Sequence, residues 1–562
     1  MKKKNKIMVM LFSGALSLSA LCGIAFAGNG ASYDLDVTEA RFGANGADEL
    51  SDDVAIQKAL DMAKNSESVV KIHIPSGTYY LDKPLYIVSN TELILEAGTV
   101  IKRNDQTKQM ISSRVDANVG GYGQFHDITI RGGIWDGCAD GKGQGALMMF
   151  YHGRNLSLYN TTLRNGAGRH LFIAAGVNGV TVENSNFENQ IKYTGTAGWE
   201  KYMIPEKDGS GTKEYSNYRN MEMLHLDCIN EDGRTEFEAY PLDNTTNKNV
   251  TVKNCTFKNG FSALGGHCEY NPFAAEKYVL TGNTFINIQY TCIDVYGAKN
   301  VEVSENRGEN VGEIVRANNV DGLKLTDNAA TIVLNDNFAL NGVCLKDCKA
   351  TTIEKLAFDK STDQGMEIWG TTIESLKDVT IENAGQNGIH AFGGSEILST
   401  EGLSIKGSKL SGVYAKDSGK INITGAVLVD NKDSGLAAEN CEDVVFEDNM
   451  IDNAGVNAIL ITSKNAALSK GLIRGNNIRK CVRGINTYGA TIRELSSNII
   501  QDATGNGINI AAGAVIETVS ENRVDRALGT GMFVSGAKIR CIAGNIVAGS
   551  GVDGIDIKDK SD

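Results

Sequence analysis

The chain has 562 residues and an ordinary hydrophobic content of 41%, so it can bury a core much larger than that of one compact domain. Its net charge is −13, from 55 basic and 68 acidic residues, which argues against a protein that binds the nucleic-acid backbone through a basic surface. With 63 glycines and only 5 prolines, the composition favours many short strands joined by tight turns.

The N-terminus has the pattern of a secretory signal peptide, which we predict over residues 1–27. A lysine-rich start at residues 2–6 precedes an apolar run over 7–26, and Ala25-Phe26-Ala27 fits a cleavage site. No other stretch is long and apolar enough to span a bilayer. We therefore expect a secreted, extracellular protein that has no membrane contact after the signal is removed.

Residues 28–110 are predicted to form an N-terminal cap and the first coils of a larger repeat. Ser51-Asp52-Asp53 can begin a helix that runs to about Lys64. Its apolar face would consist of Ile56, Ala59, Leu60 and Ala63. A stack of parallel strands needs such a plug, because its terminal strand would otherwise pair with another molecule.

A short apolar strand preceded by Asn-Gly or Ser-Gly returns along the chain at a nearly constant interval. From Ile389 to Val413 is 24 residues, and from Val413 to Leu436 is 23. A second short strand and then an asparagine follow; these asparagines are Asn283, Asn306, Asn328, Asn476, Asn498, Asn522 and Asn545. Repeats of this length without helices predict an all-β fold, a parallel β-helix over residues 111–562. Its coils would stack at about 4.8 Å, with the asparagine amides bonded from coil to coil.

Several segments resemble the opening of the pectate lyase superfamily. They are residues 42–46 (FGANG), Asp52-Asp53, residues 56–60 (IQKAL) and residues 74–79 (IPSGTY). Ile128-Thr129-Ile130 with residues 133–137 (GIWDG) is similar to the next strand of polygalacturonase-like β-helices, glycoside hydrolase family 28 and its relatives. The resemblance implies a right-handed parallel β-helix, a fold shared by hydrolases, lyases, epimerases and phage tailspikes. No Asp-Asp pair or Arg-Ile-Lys motif of the polygalacturonases follows, so their catalytic residues are not assigned here.

Strand alternation identifies the side chains that face outward. In Leu224–Cys228 the apolar residues point inward, so His225 and Asp227 point outward, and His267 is expected at the level of Asp227 on the next coil. The outer column then reads Ala174, Asp227, His267, Tyr296, Arg316, Lys346, Trp369, Phe392, Lys416 and Glu439. Carboxylates, a histidine, cations and aromatic rings in one column are typical of a sugar-binding groove.

Two carboxylates of this region have a spacing that suits glycoside hydrolysis. The Cα atoms of Asp227 and His267 should be about 5 Å apart, and that of Glu269 about 8 Å from Asp227. Inverting glycosidases hold two carboxyl groups at roughly 6.5–9.5 Å, which leaves room for a water. The predicted catalytic residues are therefore Asp227, Glu269, His267 and His225.

Two insertions are predicted beside the column, near residues 190–219 and 231–247. The intervals from Ala174 to Asp227 and from Asp227 to His267 are 53 and 40 residues, too long for one coil, and long loops on a regular scaffold usually carry function. The predicted substrate-binding residues are Asp294, Tyr296, Arg316, Lys346, Trp369 and Trp199 of the first insertion.

Three functions remain open from the sequence. The first is a glycoside hydrolase acting on a polysaccharide that can contain uronates, with Arg316 binding a carboxylate. The second is a uronate lyase or epimerase, with His267 or Tyr296 as base and Arg316 or Lys346 neutralising the substrate. The third is a non-catalytic glycan-binding surface protein. The partner is a polysaccharide in each case, and the chain can be a monomer or a trimer.

No cofactor and no metal site is predicted. The cysteines show no CxxC pair and no spacing with histidine that is typical of zinc. Calcium is left open, although no carboxylate cluster for it is evident.

Overall fold

The protein is described here as a computed structural model. The structure describes residues 33–105, 109–139, 145–166, 170–190, 221–229, 241–267, 274–332, 340–464, 470–558 and 561, and the backbone of 201–205 and 212–216. Of His267, only the backbone is described. The predicted signal peptide, residues 1–27, lies outside the described residues.

The described chain folds into one helix and many short strands. The strands of residues 33–260 are Tyr33–Asp36, Val70–Ile74, Gly77–Leu81, Leu85–Ile87, Thr91–Leu95, Thr99–Arg103, Ile111–Ser113, Phe125–Arg131, Ile134–Asp136, Met148–Tyr159, Thr162–Arg164, Phe172–Glu183, Asn186–Glu188, Lys201–Pro205, Thr212–Ser216, Glu222–Asp227, Lys248–Lys253 and Thr256–Gly260. Those of residues 262–416 are Ser262–His267, Ala275–Thr281, Thr284–Tyr296, Ala298–Ser304, Arg307–Asn318, Asp321–Thr326, Ala329–Ile332, Val343–Lys346, Thr351–Glu354, Ala357–Ser361, Met366–Trp369, Thr372–Lys377, Thr380–Ala384, Ile389–Phe392, Glu396–Ile397, Thr400–Glu401, Ser404–Lys406 and Val413–Lys416. Those of residues 420–558 are Lys420–Thr424, Val427–Val429, Ser434–Glu439, Asp443–Glu447, Met450–Asp452, Asn457–Thr462, Lys470–Arg474, Asn477–Arg479, Arg483–Tyr488, Thr491–Ser496, Ile499–Gln501, Ile508–Ala511, Val515–Ser520, Arg523–Asp525, Met532–Ser535, Lys538–Ala543, Ile546–Ala548 and Ile555–Lys558.

Parallel pairing joins 52 of these strands into a β-solenoid of about 17 turns, which confirms the predicted fold class. Each coil contributes strands to three faces and pairs in register with the coils before and after it. Ile389, Val413 and Leu436 are register partners, as their spacing predicts. We call the face that contains Glu222–Asp227, Ser262–His267 and Met366–Trp369 the site face.

The inward side chains form one continuous apolar core. In Val70–Ile74 and Thr91–Leu95 alternate residues are buried, and the core cluster extends along the solenoid from Leu35 to Ala537. Phe257 stacks between Phe187 and Phe285, with ring centroids 4.8 and 5.3 Å apart. Equivalent positions of successive coils therefore lie directly above one another, as a parallel register requires.

The predicted asparagine ladder is present at one bend of the solenoid. Asn476 Nδ2 donates to Asn498 Oδ1 at 2.8 Å, and Asn498 Nδ2 donates to Asn522 Oδ1 at 2.9 Å. Asn283, Asn306 and Asn328 form a second run of the same bonds. The C-terminal run begins at Asn449, whose Nδ2 donates to Asn476 Oδ1 at 2.9 Å. Between the runs, the bend is occupied by the buried apolar residues Leu356, Val379, Leu403 and Ala426.

The N-terminal helix is shorter than predicted. It spans Asp53–Asp61 rather than extending to about Lys64, and it buries Ile56, Ala59 and Leu60 against the core. Asp52 does not cap the helix with its side chain, because its carboxylate accepts hydrogen bonds from the backbone of Asn45 and Tyr80 instead. That this helix closes the end of the solenoid stays a prediction.

No helix in the described part of the chain is long and apolar enough to cross a membrane.

We expect Asn476→Ala to lower the free energy of unfolding by about 2–4 kcal/mol, because it leaves buried partners on both neighbouring coils without hydrogen bonds. Thermal and guanidinium unfolding of the variant measure the loss. Asn477→Ala, at the adjacent exposed position, is the matched control and should unfold like the wild type. Equal effects of the two substitutions would contradict a stabilising role of the ladder.

Candidate active site

On the site face, two residues of each strand point outward, so the outer surface carries two parallel columns. The first outer column contains Ile173, His225, Gly265, Asp294, Arg316, Cys344, Glu367, His390 and Tyr414. The second outer column contains Ala175, Asp227, His267, Tyr296, Asn318, Lys346, Trp369, Phe392, Lys416 and Glu439. Asp227 and His267 are register partners, as predicted, whereas Ala175 and not Ala174 is the outward neighbour of Asp227.

Arg316 lies in a different column from the one that the sequence analysis predicts. It pairs with Asp294, and Asn318 takes the place beside Tyr296. Alternation alone shows that Arg316 faces outward, but it does not show which of the two outward residues on each strand align. The predicted column therefore mixed members of both columns.

A third column of polar side chains lies at the edge of the site face, three positions before the first outer column. Its members are all buried: His170, Glu222, Ser262, Thr291, Glu313, Asn341, Gln364, Asn387, Ser411, Ser434 and Asn457. We call them the bend column. Hydrogen bonds link neighbouring coils, for example from Thr291 Oγ1 to Glu313 Oε2 at 3.2 Å. The bend column thus places buried carboxylates directly beside the outward residues.

Glu222 of the bend column lies between two histidines. Its Oε2 is 3.3 Å from His225 Nδ1 and 3.5 Å from His170 Nδ1, and the two imidazole rings stack with centroids 4.0 Å apart. On the other side of its ring, His225 Nε2 is 3.1 Å from Asp227 Oδ2. The side chains of Glu222, His225 and His170 are at most 6% exposed, and that of Asp227 is 17% exposed. Asp227 is therefore the member of the cluster that reaches solvent.

The carboxylates of this cluster control the charge of His225. Burial opposes the imidazolium, but the negative charges and hydrogen bonds of Asp227 and Glu222 outweigh burial and raise the pKa of His225 to about 10. His225 is therefore protonated at neutral pH. It then serves as a counter-ion to the carboxylates and not as a base.

Gly265 faces His225 on the next coil, and its lack of a side chain makes room for Glu222. A Cβ atom at Gly265 would lie 2.3 Å from Glu222 Cγ and 2.9 Å from Glu222 Oε1. The Glu222 side chain therefore reaches across onto the following coil. A glycine at this position is a steric requirement of the cluster.

A second buried ion pair repeats the same spacing further along the face. Arg316 Nε and Nη2 donate to Glu313 Oε2 and Oε1, both at 2.8 Å, and the two residues are three positions apart, as Glu222 and His225 are. Burial opposes the charge on Arg316, but Glu313 outweighs it, so the pKa of Arg316 lies well above its usual value. Because the guanidinium is engaged by a buried carboxylate, a direct contact between Arg316 and substrate stays a prediction.

Asp294 and Tyr296 both lie on the site face, but to different depths. Asp294 is buried between Gly265 and Arg316, and Tyr296 is half-buried. Further along the first outer column, Glu367 accepts a hydrogen bond from the bend-column residue Asn341 at 3.0 Å, and burial raises its pKa. The buried charged side chains of the site face are therefore mainly acidic.

Lys346 and Trp369 begin a stack of rings on the outer surface. Lys346 Nζ lies 4.2 Å from the centroid of Trp369, which stacks on Phe392 at 5.6 Å. His390 continues the stack between Phe392 and Tyr414. Because the rings stack along the solenoid axis, a ligand on the outer surface of this face would meet their edges.

An apolar cluster occupies the N-terminal end of the site face, before the coil of His225. It consists of Ala146, Tyr151, Ile173, Ala175 and Ile229. His152 is buried nearby, and its ring nitrogens lie 2.9 Å from the backbone oxygens of Gly121 and Pro241. These contacts hold Pro241, which belongs to the second predicted insertion, against the solenoid. The polar part of the site face therefore begins at the coil of His225 and Asp227.

Two predicted residues, Glu269 and Trp199, lie outside the described residues. In the first predicted insertion, 190–219, the structure describes an antiparallel pair of strands, Lys201–Pro205 and Thr212–Ser216. The functions predicted for these two residues stay predictions.

The sequence analysis missed His170 and Glu222, although the repeat contains a signal for Glu222. The first residue of each recurrent Asn-Gly or Ser-Gly pair, such as Asn387 or Ser411, belongs to the bend column. In the coil of the cluster, Glu222 takes the place of that residue and Met223 takes the place of the glycine. A glutamate in this place is the signal, and Glu313 is a second glutamate of the bend column.

Two family models match the chain. One, described as a right handed beta helix region, matches residues 271–410, 321–469 and 411–562, together more than half of the chain. The other, described as rhamnogalacturonase A/epimerase, pectate lyase-like, matches residues 37–271. No curated protein sequence matches.

Similar solved structures include the surface adhesin PfbA of Streptococcus pneumoniae, at 16% identity over 82% of this chain and 100% of that chain, with a TM-score of 0.43. The catalytic unit of a thermostable alpha-1,3-glucanase from Streptomyces thermodiastaticus is 15% identical over 79% and 68%, with a TM-score of 0.36. The A-module of a mannuronan C-5 epimerase from Azotobacter vinelandii is 13% identical over 92% and 99%, with a TM-score of 0.24. Likenesses at this level carry no information about activity.

We expect Arg316→Ala to lower the free energy of unfolding by about 3–5 kcal/mol, because Glu313 is left buried without its counter-charge. Glu313→Gln combined with Arg316→Ala should recover part of the loss. Arg526→Ala, which breaks an exposed pair with Asp502, is the control and should change little. Thermal unfolding compares the variants, and a stable Arg316→Ala protein would contradict the buried pair.

Proposed function

Because the chain belongs to the pectate lyase-like superfamily of right-handed parallel β-helices, we propose that it is a secreted glycoside hydrolase that cleaves a polysaccharide bound along the site face. The pectate lyase-like match, residues 37–271, includes the coils that hold Glu222, His225 and Asp227. Secretion is proposed from the signal-like segment 1–27.

The proposal depends on one observation, a solvent-reaching carboxylate backed by buried charged groups. Asp227 Oδ2 contacts His225 Nε2 at 3.1 Å, and Asp227 Oδ1 accepts the backbone N–H of Cys228 at 2.7 Å. Both contacts fix the orientation of the carboxylate. Titratable groups arranged in this way, in a groove, are typical of catalytic sites.

Asp227 acts as the base that activates water, and Glu269 supplies the acid. Glu269 follows His267 by two residues, and the backbone of His267 pairs with Asp227 on the adjacent coil. An inverting mechanism needs two carboxyl groups roughly 6.5–9.5 Å apart, and the proposal assigns that spacing to Asp227 and Glu269. His225 positions Asp227, and His267 contacts sugar hydroxyls.

Substrate lies along the second outer column towards the ring stack. Tyr296, Lys346 and Trp369 form its path, with Asp294 and Arg316 beneath and Trp199 contributed by the first insertion. A lysine over an aromatic ring suits a sugar that carries a carboxylate. A uronate-containing polysaccharide is therefore the preferred substrate class.

A uronate lyase or epimerase is the second candidate, and it needs a cation that neutralises the uronate carboxylate. Because the Arg316 guanidinium is held by Glu313 at 2.8 Å, Lys346 would have to be that cation. An unsaturated product that absorbs in the ultraviolet would instead identify a lyase. Glycan binding without any product would identify a non-catalytic surface protein.

We expect Asp227→Asn to lower the rate of hydrolysis at least about 100-fold, because the amide cannot take the proton from water. New reducing ends, measured on a panel of uronate-containing and neutral polysaccharides, report the activity. Glu439→Gln, in the same column but far along the solenoid, is the control and should keep full activity. An active Asp227→Asn protein would end the assignment.

Trp369→Ala should raise the KM for long oligosaccharides about 2- to 10-fold, the contribution of one aromatic contact, and leave kcat on short ones unchanged. Tyr488→Ala, an aromatic residue further along the same outward column, should have no effect. The same change in KM for short and long substrates would show that Trp369 supports the fold and does not contact the glycan.

A further inference from the structure

His152 joins two loops at the edge of the site face. Its side chain is fully buried. Nδ1 lies 2.9 Å from the backbone oxygen of Gly121 in the loop 116–124, and Nε2 lies 2.9 Å from the backbone oxygen of Pro241 in the segment 241–247. We call His152 together with these two segments the clasp.

The two contacts of His152 require a proton on each ring nitrogen. A backbone carbonyl oxygen only accepts hydrogen bonds, and a neutral imidazole has a single N–H to donate. In the neutral ring, the lone pair of the other nitrogen would face an oxygen at 2.9 Å, which is repulsive. Only the imidazolium form satisfies both oxygens, and Asp243 Oδ1, 3.9 Å from Nδ1, supplies the opposite charge.

Direct contacts between the two loops add to those of His152. Asp243 Oδ2 accepts the backbone N–H of Gly121 at 2.7 Å, and the Tyr122 hydroxyl donates to the backbone oxygen of Thr246 at 2.9 Å. The loops approach so closely that a Cβ atom at Gly120 would lie 2.5 Å from Asp243 Oδ2. The imidazolium is therefore enclosed by the segments that it joins.

The clasp covers the apolar cluster at the N-terminal end of the site face. Leu242 packs on that cluster, and Ile229, one of its members, donates its backbone N–H to Thr245 at 2.9 Å. At the other end of the segment, Asn247 Nδ2 donates to the backbone oxygen of Asp227 at 2.9 Å. The cover is thus continuous with the strand that carries the candidate base.

We propose that His152 is a pH-dependent switch that holds the clasp closed when it is protonated and loosens it when it is neutral. Loss of one proton leaves one carbonyl oxygen facing a lone pair, so either the loop 116–124 or the segment 241–247 must move away. The apolar end of the site face is then uncovered, which extends the surface open to a ligand. This inference does not rest on hydrolysis.

Histidine changes its charge between about pH 5 and 8, and the other titratable groups of the clasp keep theirs. Burial raises the pKa of Asp243, but hydrogen bonds from Thr245 and Gly121 outweigh it and lower that pKa. Asp243 therefore stays ionised, and its contribution is lost only as the pH falls through the lowered pKa. Burial raises the pKa of Tyr122, which stays neutral. Among the described residues, the other titratable or charged groups of the adjoining loop and strands are Asp116, His126, Asp127, Tyr151 and Arg154.

The experiment uses the full chain with ¹⁵N-labelled histidine. The chain has seven histidines, so the signals of His152 are identified by their absence from His152→Gln protein. Between about pH 5 and 8, the wild-type ring should change from two N–H groups to one. Hydrogen exchange of residues 119–124 and 241–247, corrected for its intrinsic pH dependence, should become about 10- to 100-fold faster over this range, the effect of one hydrogen bond to a charged group.

Variants then assign the change to His152. His152→Gln carries no charge, so its corrected exchange should be fast and independent of pH. Asp243→Asn keeps the shape of the clasp without its negative charge, and should move the midpoint of the change to lower pH by about 0.5 units. His126→Gln is the matched control, because His126 contacts Asp127 at 2.9 Å on a neighbouring strand, and it should behave as the wild type does.

Three results would overturn the proposal. One is a His152 ring that keeps the same number of N–H groups from about pH 5 to 8. Another is corrected exchange of the two wild-type segments that does not change over this range, a measurement that needs no variant to fold. The third is a His152→Gln protein with the circular dichroism and the pH dependence of the wild type, which would assign the change to another group.

Discussion

Each coil of this solenoid pairs in register with the coils on either side, and that constraint decides where every polar group can lie. A residue at a bend has the corresponding residues of the neighbouring coils about 4.8 Å away. Neutral amides and hydroxyls can repeat at such a position, because each donates to one coil and accepts from the other. A carboxylate cannot be followed by a carboxylate, since two buried like charges at this distance are costly.

The two charged coils of the bend column respect this constraint. Glu222 follows His170 and precedes Ser262, and its charge is balanced outward by His225. Glu313 follows Thr291 and is balanced by Arg316. Where a carboxylate replaces a neutral residue of the bend column, a positively charged side chain lies three positions later on the outer face. The same register that builds the core therefore also builds the candidate site.

The sequence predicted the solenoid, the asparagine ladder and the contact between the Asp227 and His267 strands, because each follows from the length of the repeat and the alternation of strands. It did not predict the column of Arg316, since two outward residues on each strand are equivalent in an alternating pattern. Nor did it predict that His225 and Asp294 are buried, because alternation shows on which side of a strand a residue lies but not what packs on that side. His170 was out of reach, since a long insertion hides its register with Glu222.

The most direct test of the account is a crystal structure of Asp227→Asn protein soaked with uronate and neutral oligosaccharides. We expect a glycan along the second outer column, with a glycosidic bond within hydrogen-bond reach of the amide at position 227 and further sugars towards Trp369. A glycan bound on another face of the solenoid, with the site face bare, would contradict it.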